Sequence, residues 1–242
     1  MKTAVSRSNG TLTKSSGVNN FIRIEDINQI KKVLNNKVLL RTVYKATEQR
    51  RSGIYLIAPS ETDWRPAEHT NRISEVILPP ESLFFNDKSN RSLPWKTEIE
   101  IKKGDIVWHD FMAANNCIVI KTDKQPEEEY KLLDYNDIYV IKRNGDLIPI
   151  NGYILCEEVK EKKSDLEISE KTDKRFGRVA YVGKKNKRYQ NPHITEDIDI
   201  SVGDIIIKRR ADVHILLESE DHRQLDKPYF IIQRKDIYGI LL

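Results

Sequence analysis

The chain has 242 residues, of which 41 are basic and 37 acidic, giving a formal net charge of +4 at pH 7. Hydrophobic residues make up 38% and charged residues 32%, against about 45–50% and about 25% in average proteins, so modest cores and much polar loop are expected. No apolar run approaches the roughly 20 residues that span a bilayer, which excludes an integral membrane protein. Charges of both signs are interspersed, whereas a dedicated nucleic-acid binder usually concentrates a basic face.

Residues with obvious chemistry are few and scattered. Cys117 and Cys156 form no CxxC or other metal spacing, so we expect buried thiols in a reducing, cytoplasmic compartment. No glycine-rich phosphate loop and no GxSxG nucleophile elbow occurs. We therefore expect no catalytic residue, no metal, no cofactor and no enzymatic activity. Five histidines lack ligand spacing: His69, His109, His193, His214 and His222.

The N-terminal segment is polar. Met1–Asn20 is rich in Ser, Thr, Asn and Gly and has no acidic residue, which is typical of a disordered tail and also compatible with an organellar transit peptide. It has no apolar core of the kind a secretory signal needs. In Glu25–Leu34, Ile27, Ile30 and Leu34 are spaced as on one helix face, which predicts a short helix.

The next hundred residues predict short β-strands. The runs are β-branched or aromatic and are separated by the turn residues Lys103-Gly104-Asp105, Asn115-Asn116 and Asp134-Tyr-Asn136. The predicted strands are Val38–Tyr44, Ile99–Ile101, Ile106–Trp108, Cys117–Lys121, Tyr130–Leu133 and Ile138–Ile141.

The same pattern then returns. The offset between matching segments grows in one direction, as insertions in the first copy would require. The matches are Ile99–Val107 with Ile198–Ile206 at an offset of 99 residues, Arg72–Val76 with Arg175–Val179 at 103, and Val38–Leu40 with Tyr153–Leu155 at 115. Two homologous units with such short strands favour small barrels over sandwiches.

The order of signals resembles the GroES-type co-chaperonin (chaperonin-10) family, present twice in tandem. The resemblance implies an all-β chain of two small GroES-like barrels, residues 30–143 and 146–242, after a flexible tail with a short helix at residues 1–29. The first copy departs from the pattern at Ser74, where the second has Gly177, and lacks the opening proline. The segments that carry the resemblance are Leu147–Leu155, Phe176–Gly183, Ile198–Ile206 and Tyr229–Ile240.

Members of that family act without catalysis. The resemblance implies that an apolar loop tip docks on a large chaperonin ring, which itself binds ATP, and that the chain assists folding as a lid. In the first copy the tip is Gly53-Ile54-Tyr55-Leu56, and in the second Leu166 and Ile168 keep the alternating apolar pair around Glu167. The alternative for each tip is an ordinary buried strand, and the second tip is the weaker match.

The joint between the copies contains Asn144-Gly145, the strongest short signal for a type I′ hairpin. In the resembled family the closing strand of one subunit pairs with the opening strand of its neighbour, so this turn would fuse a subunit interface covalently. Ile30–Leu34 and the closing strand up to Leu242 would then remain as free edges. These edges predict a head-to-tail homo-oligomeric ring of open size.

Two insertions leave alternatives open. Lys184–Tyr189 is a basic cluster with one aromatic, read as a solvated turn with nucleic-acid binding as the rival. Leu83-Phe84-Phe85 and Pro94-Trp95 bracket a loop that either contacts a partner or packs on itself. The rival function is a non-catalytic connector that reuses the barrel, for example in a viral particle, which the diverged first copy and the polar tail would fit.

Overall fold

A computed structural model describes residues 21–43, 50–51, 54–55, 73–85, 97–160, 172–185, 199–208 and 229–241. These residues are mostly β-sheet with little helix, and the β-rich class predicted from the sequence is confirmed. Among them no helix is long and apolar enough to cross a membrane. The only α-helix within these ranges, α1, spans Phe111–Asn116, and three 3₁₀ turns span Ile27–Gln29, Tyr135–Asp137 and Arg234–Asp236.

The strands form three sheets. The largest has the order β1-β7-β8-β2-β5-β6-β9-β10, the second β14-β11-β12-β13-β15, and the third pairs β3 with β4. Over the described residues neither large sheet closes on itself. The bounds are β1 Phe21–Ile24, β2 Lys37–Thr42, β3 Arg50–Arg51, β4 Ile54–Tyr55, β5 Ile73–Leu78, β6 Ile106–His109, β7 Ile118–Thr122, β8 Tyr130–Asp134, β9 Ile138–Arg143, β10 Asp146–Pro149, β11 Tyr153–Lys160, β12 Thr172–Val182, β13 Ile205–Lys208, β14 Phe230–Gln233 and β15 Ile237–Leu241.

Five strands of the largest sheet repeat the second sheet. The first set, β8-β2-β5-β6-β9, has the same order as the second set, β14-β11-β12-β13-β15. Leu39 faces Leu132 and Leu78, and Leu155 correspondingly faces Ile231 and Tyr181. The register shift next to Leu39 recurs next to Leu155. Pairing thus aligns Leu39 with Leu155, an offset of 116 residues, and the offset of 115 expected at this strand is wrong by one.

A glycine turn also repeats in both sets. Gly104 and Gly203 have φ of +87° and +99°, a region that L side chains rarely adopt. The N–H of Gly104 donates to the Val76 carbonyl and the N–H of Gly203 to that of Val179, each at 2.8 Å. The turn therefore seats the next strand in the same way twice.

The first copy's serine has a structural reason. Ser74 is buried and its Oγ lies 3.0 Å from Nε2 of the buried His109. At the equivalent Gly177, a Cβ would stand 2.4 Å from Cζ of Phe230. A bulky ring therefore requires glycine in the second set. The first set has Lys131 at the position of Phe230 and accepts a serine that contacts His109.

Two local predictions are wrong. Ile99–Ile101 lies outside any strand, because side chains take its backbone groups: Tyr135 Oη accepts from Glu100 N at 2.8 Å, and Arg143 donates to Glu100 O at 2.8 Å. Asn115-Asn116 ends α1 instead of forming a turn, since Asp110 caps that helix by accepting from Ala113 N.

The predicted helix in Glu25–Leu34 is also wrong. Only the 3₁₀ turn Ile27–Gln29 forms, capped by Asp26 and succeeded by extended backbone at Ile30. The preceding strand β1 pairs in parallel with β7. We call residues 21–33 the arm; Ile27 and Val33 are buried, whereas Leu34 is exposed.

Candidate functional site

The joint between the two sets is a two-residue hairpin. Asn144 and Gly145 have φ of +53° and +94°, the combination that a type I′ turn requires. The turn pairs β9 with β10 antiparallel, with Arg143 opposite Asp146 and Ile141 opposite Ile148. The second half of the chain thus begins as an added strand on the edge of the first set.

An apolar cluster spans this joint and contains side chains from both sets. Tyr139 and Tyr153 meet edge to face with ring centroids 4.9 Å apart, and Tyr181 and Tyr229 do so at 5.7 Å. Such aromatic pairs contribute about 0.5–1.5 kcal/mol beyond burial. The buried members are Ile73, Trp108, Tyr139, Val140, Leu147, Tyr153, Leu155, Tyr229 and Ile231.

Two tyrosine hydroxyls in this cluster are hydrogen-bonded. Tyr139 donates to Asp110 Oδ2 at 2.5 Å, and burial, together with that carboxylate, holds the pKa of Tyr139 far above its ordinary value. Gln233 Nε2 donates to Tyr153 Oη at 2.5 Å. Tyr139 therefore stays protonated, and both hydroxyls take part in hydrogen bonds that position the joint.

Polar bonds close the joint at its margin. Glu100 accepts from the backbone N–H of Asn151 at 3.0 Å, and burial raises the pKa of its carboxyl. The Asn151 amide donates to the carbonyls of Tyr135 and Ile138 at 2.9 and 3.0 Å. The two halves of the chain are therefore held by packing and by directed bonds.

The predicted chaperonin-binding tip is described in part. Ile54–Tyr55 forms β4, which pairs with Arg50–Arg51. Gly53, Leu56, Leu166 and Ile168 lie outside the described residues. The backbone thus places one short ladder at the first tip.

The remaining predicted features are the basic cluster, the aromatic insertion and the cysteines. Lys184 and Lys185 form ion pairs with Glu98 and Asp199, and residues 186–189 lie outside the described ranges. Leu83 and Phe85 pack on a buried cluster that includes Val38 and Leu40, whereas Phe84 is exposed. Pro94-Trp95 is outside the described residues. Cys117 and Cys156 are thiols, the first half-buried and the second buried. Within the described ranges no group of three His, Cys, Asp or Glu side chains could hold a metal.

No protein-family model matches the sequence, and no curated protein matches it significantly. The repeated strand set and its joint are therefore the basis for any functional argument.

Sequence reasoning missed the joint's aromatic residues. Tyr139 belongs to the repeated Asp-Ile-Tyr motif that returns at Tyr238, and a large apolar side chain on a strand edge in both copies is a signal for an interface. Tyr153 carries no such signal, since Lys37 takes its place in the first copy.

Proposed function

We propose that the chain is a tandem co-chaperonin that closes a large ATP-dependent chaperonin ring and assists protein folding without catalysis of its own. The two units are residues 30–143 and 146–242, each a small barrel of the GroES type. The observation that supports this most is the joint, where the closing strand β9 of the first set pairs with β10, the strand that leads into the second set. A chain built this way is two adjacent positions of a larger ring.

The chaperonin contacts in this proposal are the two loop tips. In the first unit these are Gly53, Ile54, Tyr55 and Leu56, and in the second Leu166 and Ile168. A loop that becomes ordered only on docking binds weakly and reversibly, and a ring of loops regains affinity through effective concentration. A lid that binds and dissociates repeatedly needs both weak single contacts and multivalent affinity.

The test is retention of the full chain on an immobilised chaperonin ring with and without ATP. The wild-type chain is expected to be retained in a nucleotide-dependent way, and an Ile54→Ser/Leu56→Ser variant is expected to lose retention. Met112→Ser/Val202→Ser is the matched control, because Met112 and Val202 are exposed apolar residues elsewhere, at 57% and 67% exposure. No nucleotide-dependent retention of the wild type would overturn the function, and full retention of the loop variant would overturn the loop assignment.

A second candidate, a connector that reuses the barrel, is favoured by the arm. Residues 21–33 add a strand to the sheet that contains the first set, together with a 3₁₀ turn whose Ile27 is buried. A lid that acts only through its loops has no need for this addition. A connector would stay unretained by a chaperonin in both nucleotide states, so the same experiment separates the two functions.

A further inference from the structure

At the joint, one of the two packed surfaces belongs to the second set. There Leu155, Ala180, Tyr181, Tyr229 and Ile231 pack against first-set residues that include Trp108 and Tyr139. Strand register assigns the equivalent residues of the first set without ambiguity. They are Leu39, Ile77, Leu78, Tyr130 and Leu132, which we call the first-set face.

The first-set face is buried by other parts of the same copy. Leu39 is 0% exposed and Tyr130 2%. The side chains that pack on this face come largely from the arm, together with β7. From the arm they are Ile24, Ile27, Ile30 and Val33, and from β7 Ile118 and Ile120. The arm thus lies on the surface whose counterpart in the second set receives a whole unit.

The first-set surface that packs at the joint also has an equivalent, which lies on the second set. In the described part of the chain β15 pairs with β13 alone, and Tyr238 and Leu241 are 69% and 44% exposed. We call this surface the outer edge. Its members are Phe176, Ile205, Ile207, Tyr238 and Leu241, equivalent by register to Ile73, Ile106, Trp108, Tyr139 and Lys142.

We propose that the arm and the outer edge of a second copy of this chain compete for the first-set face. A second copy docks head to tail only when the arm has left, so the arm gates self-association. The joint inside the chain is the template for this contact, since it already seats the equivalent surfaces on each other. The inference rests on the tandem-unit part of the proposed function and makes no use of chaperonin binding.

The arm is held by bonds that suit a reversible gate. β1 makes one ladder with β7, and its ion pairs Arg23–Asp123 and Lys124–Asp26 are on the surface, at 2.6 and 2.7 Å. Exposed pairs contribute little and are screened by salt. Burial in the cluster with Leu39 and Tyr130 therefore holds the arm, and Ile27 is one of its two buried anchors, with Val33.

The docked contact is also weaker than the joint. Lys37 stands in the first set where the second has Tyr153, whose ring packs on Tyr139. A second copy's Tyr238 would meet the lysine stem there, without an edge-to-face ring pair. Because the arm and a second copy both bind the first-set face weakly, small changes in either contact shift the equilibrium between them.

The experiment measures the mass distribution of the full chain against concentration by sedimentation velocity and mass photometry. Ile27→Asp places a charge under the arm and is expected to lower the midpoint concentration of assembly by about tenfold or more, as removal of a competing state does. Ile27→Asp/Tyr238→Asp is the matched control for nonspecific aggregation and is expected to return to single chains. Far-UV circular dichroism checks that each variant keeps its β structure.

A second variant locks the arm instead of releasing it. Arg23 and Lys121 are exposed partners across β1 and β7, and neighbouring strands about 4.8 Å apart lie within the Cα range of a disulfide. Oxidised Arg23→Cys/Lys121→Cys is expected to stay single at concentrations where the same protein assembles after reduction.

Three results would overturn the proposal. These are an Ile27→Asp chain that assembles no more readily than wild type, assembly that Tyr238→Asp leaves intact, and a locked chain that assembles as its reduced form does. None of these measurements contains a chaperonin, so failure of the gate and failure of the proposed function are seen separately.

Discussion

Tyr139 and Tyr238 occupy the same position in the two strand sets, yet Tyr139 is 7% exposed and Tyr238 69%. The difference comes from the neighbour that each strand has. Beside Tyr139 the chain turns at Asn144-Gly145 and lays β10 and the second set on the edge, whereas β15, which carries Tyr238, pairs with β13 alone in the described part of the chain. The same strand surface is therefore covered in the first set, at Tyr139, and exposed in the second set, at Tyr238.

This pair gives the first prediction, on stability. Tyr139→Ala removes a buried ring and is expected to cost about 3–5 kcal/mol of unfolding free energy. Tyr238→Ala, on the exposed edge, is expected to change it by less than about 0.5 kcal/mol. Urea unfolding at a concentration where the chain is single checks both. Equal costs would show that the joint does not bury Tyr139 in solution.

The second prediction concerns pH and Glu100. Burial raises the pKa of its carboxyl above the ordinary value of 4.5, so the folded chain holds this proton more tightly than the unfolded chain does. The contribution to stability is then fully present below pH 4.5 and is lost as pH rises through the raised pKa. Glu100→Gln keeps an oxygen to accept from Asn151 and has no charge to bury.

The Gln variant is therefore expected to gain stability relative to wild type as pH rises from about 4 to 7. Urea unfolding at one-unit steps of pH measures the difference, in which the other carboxyl groups cancel. Glu98→Gln, whose side chain is 81% exposed, is the control for loss of one charge from the same segment. If the difference in unfolding free energy between Glu100→Gln and wild type stayed constant across that range, the pKa of Glu100 would not be raised in the folded chain.

The third prediction concerns Gly183, beside the joint. An added Cβ would stand 2.6 Å from the carbonyl oxygens of both Pro149 and Tyr153, and backbone atoms cannot yield as a side-chain tip can. Gly183→Ala is expected to cost about 1–3 kcal/mol, the usual range for overpacking. At Gly239 the nearest atom would be Ile207 Cδ1 at 3.6 Å, so Gly239→Ala is expected to be near neutral.

Thermal unfolding compares the two glycine variants. A loss of about 1 kcal/mol lowers the Tm by about 2–4 °C in a chain of this length, so the two variants are easily told apart. A Gly183→Ala chain as stable as Gly239→Ala would mean that the backbone at Gly183, just after β12, does not approach Pro149 as closely as in the structure.

The sequence predicted the β-rich class because its strands are short, β-branched runs between turn residues. It predicted the wrong register at β2 for a physical reason. Apolar matching pairs Val38 with Tyr153, whereas strand pairing aligns Lys37 with Tyr153. Lys37 in the first copy thus replaces Tyr153, an aromatic residue of the joint, in the second. An alignment that matches apolar residues to each other is displaced by one position at such a substitution.

That the arm covers the first-set face could not be predicted from the sequence, for another reason. Ile27 and Ile30 fit a helical period, but the arm uses them to cover a sheet in a mostly extended conformation, after a single turn capped by Asp26. Periodicity records which residues are apolar and not which surface they cover. In the same way, side chains of Tyr135 and Arg143 replace the ladder bonds expected at Ile99–Ile101.

The last prediction separates the two loop tips. In an extended strand, residues two apart share one face, so Leu166 and Ile168 could dock side by side while Glu167 points away. Asp165 takes the place of the glycine that precedes Ile54 in the first tip, which reduces the backbone freedom needed for a close approach. Leu166→Ser/Ile168→Ser is therefore expected to weaken retention on a chaperonin ring less than Ile54→Ser/Leu56→Ser does.

Retention in ATP at several chain concentrations gives the two apparent affinities, and a variant with all four substitutions gives their coupling. If both tips engage one ring, the combined loss exceeds either single loss, because linked sites share effective concentration. A second-tip variant that binds as wild type would confine docking to the first unit, and the second unit would then serve assembly alone.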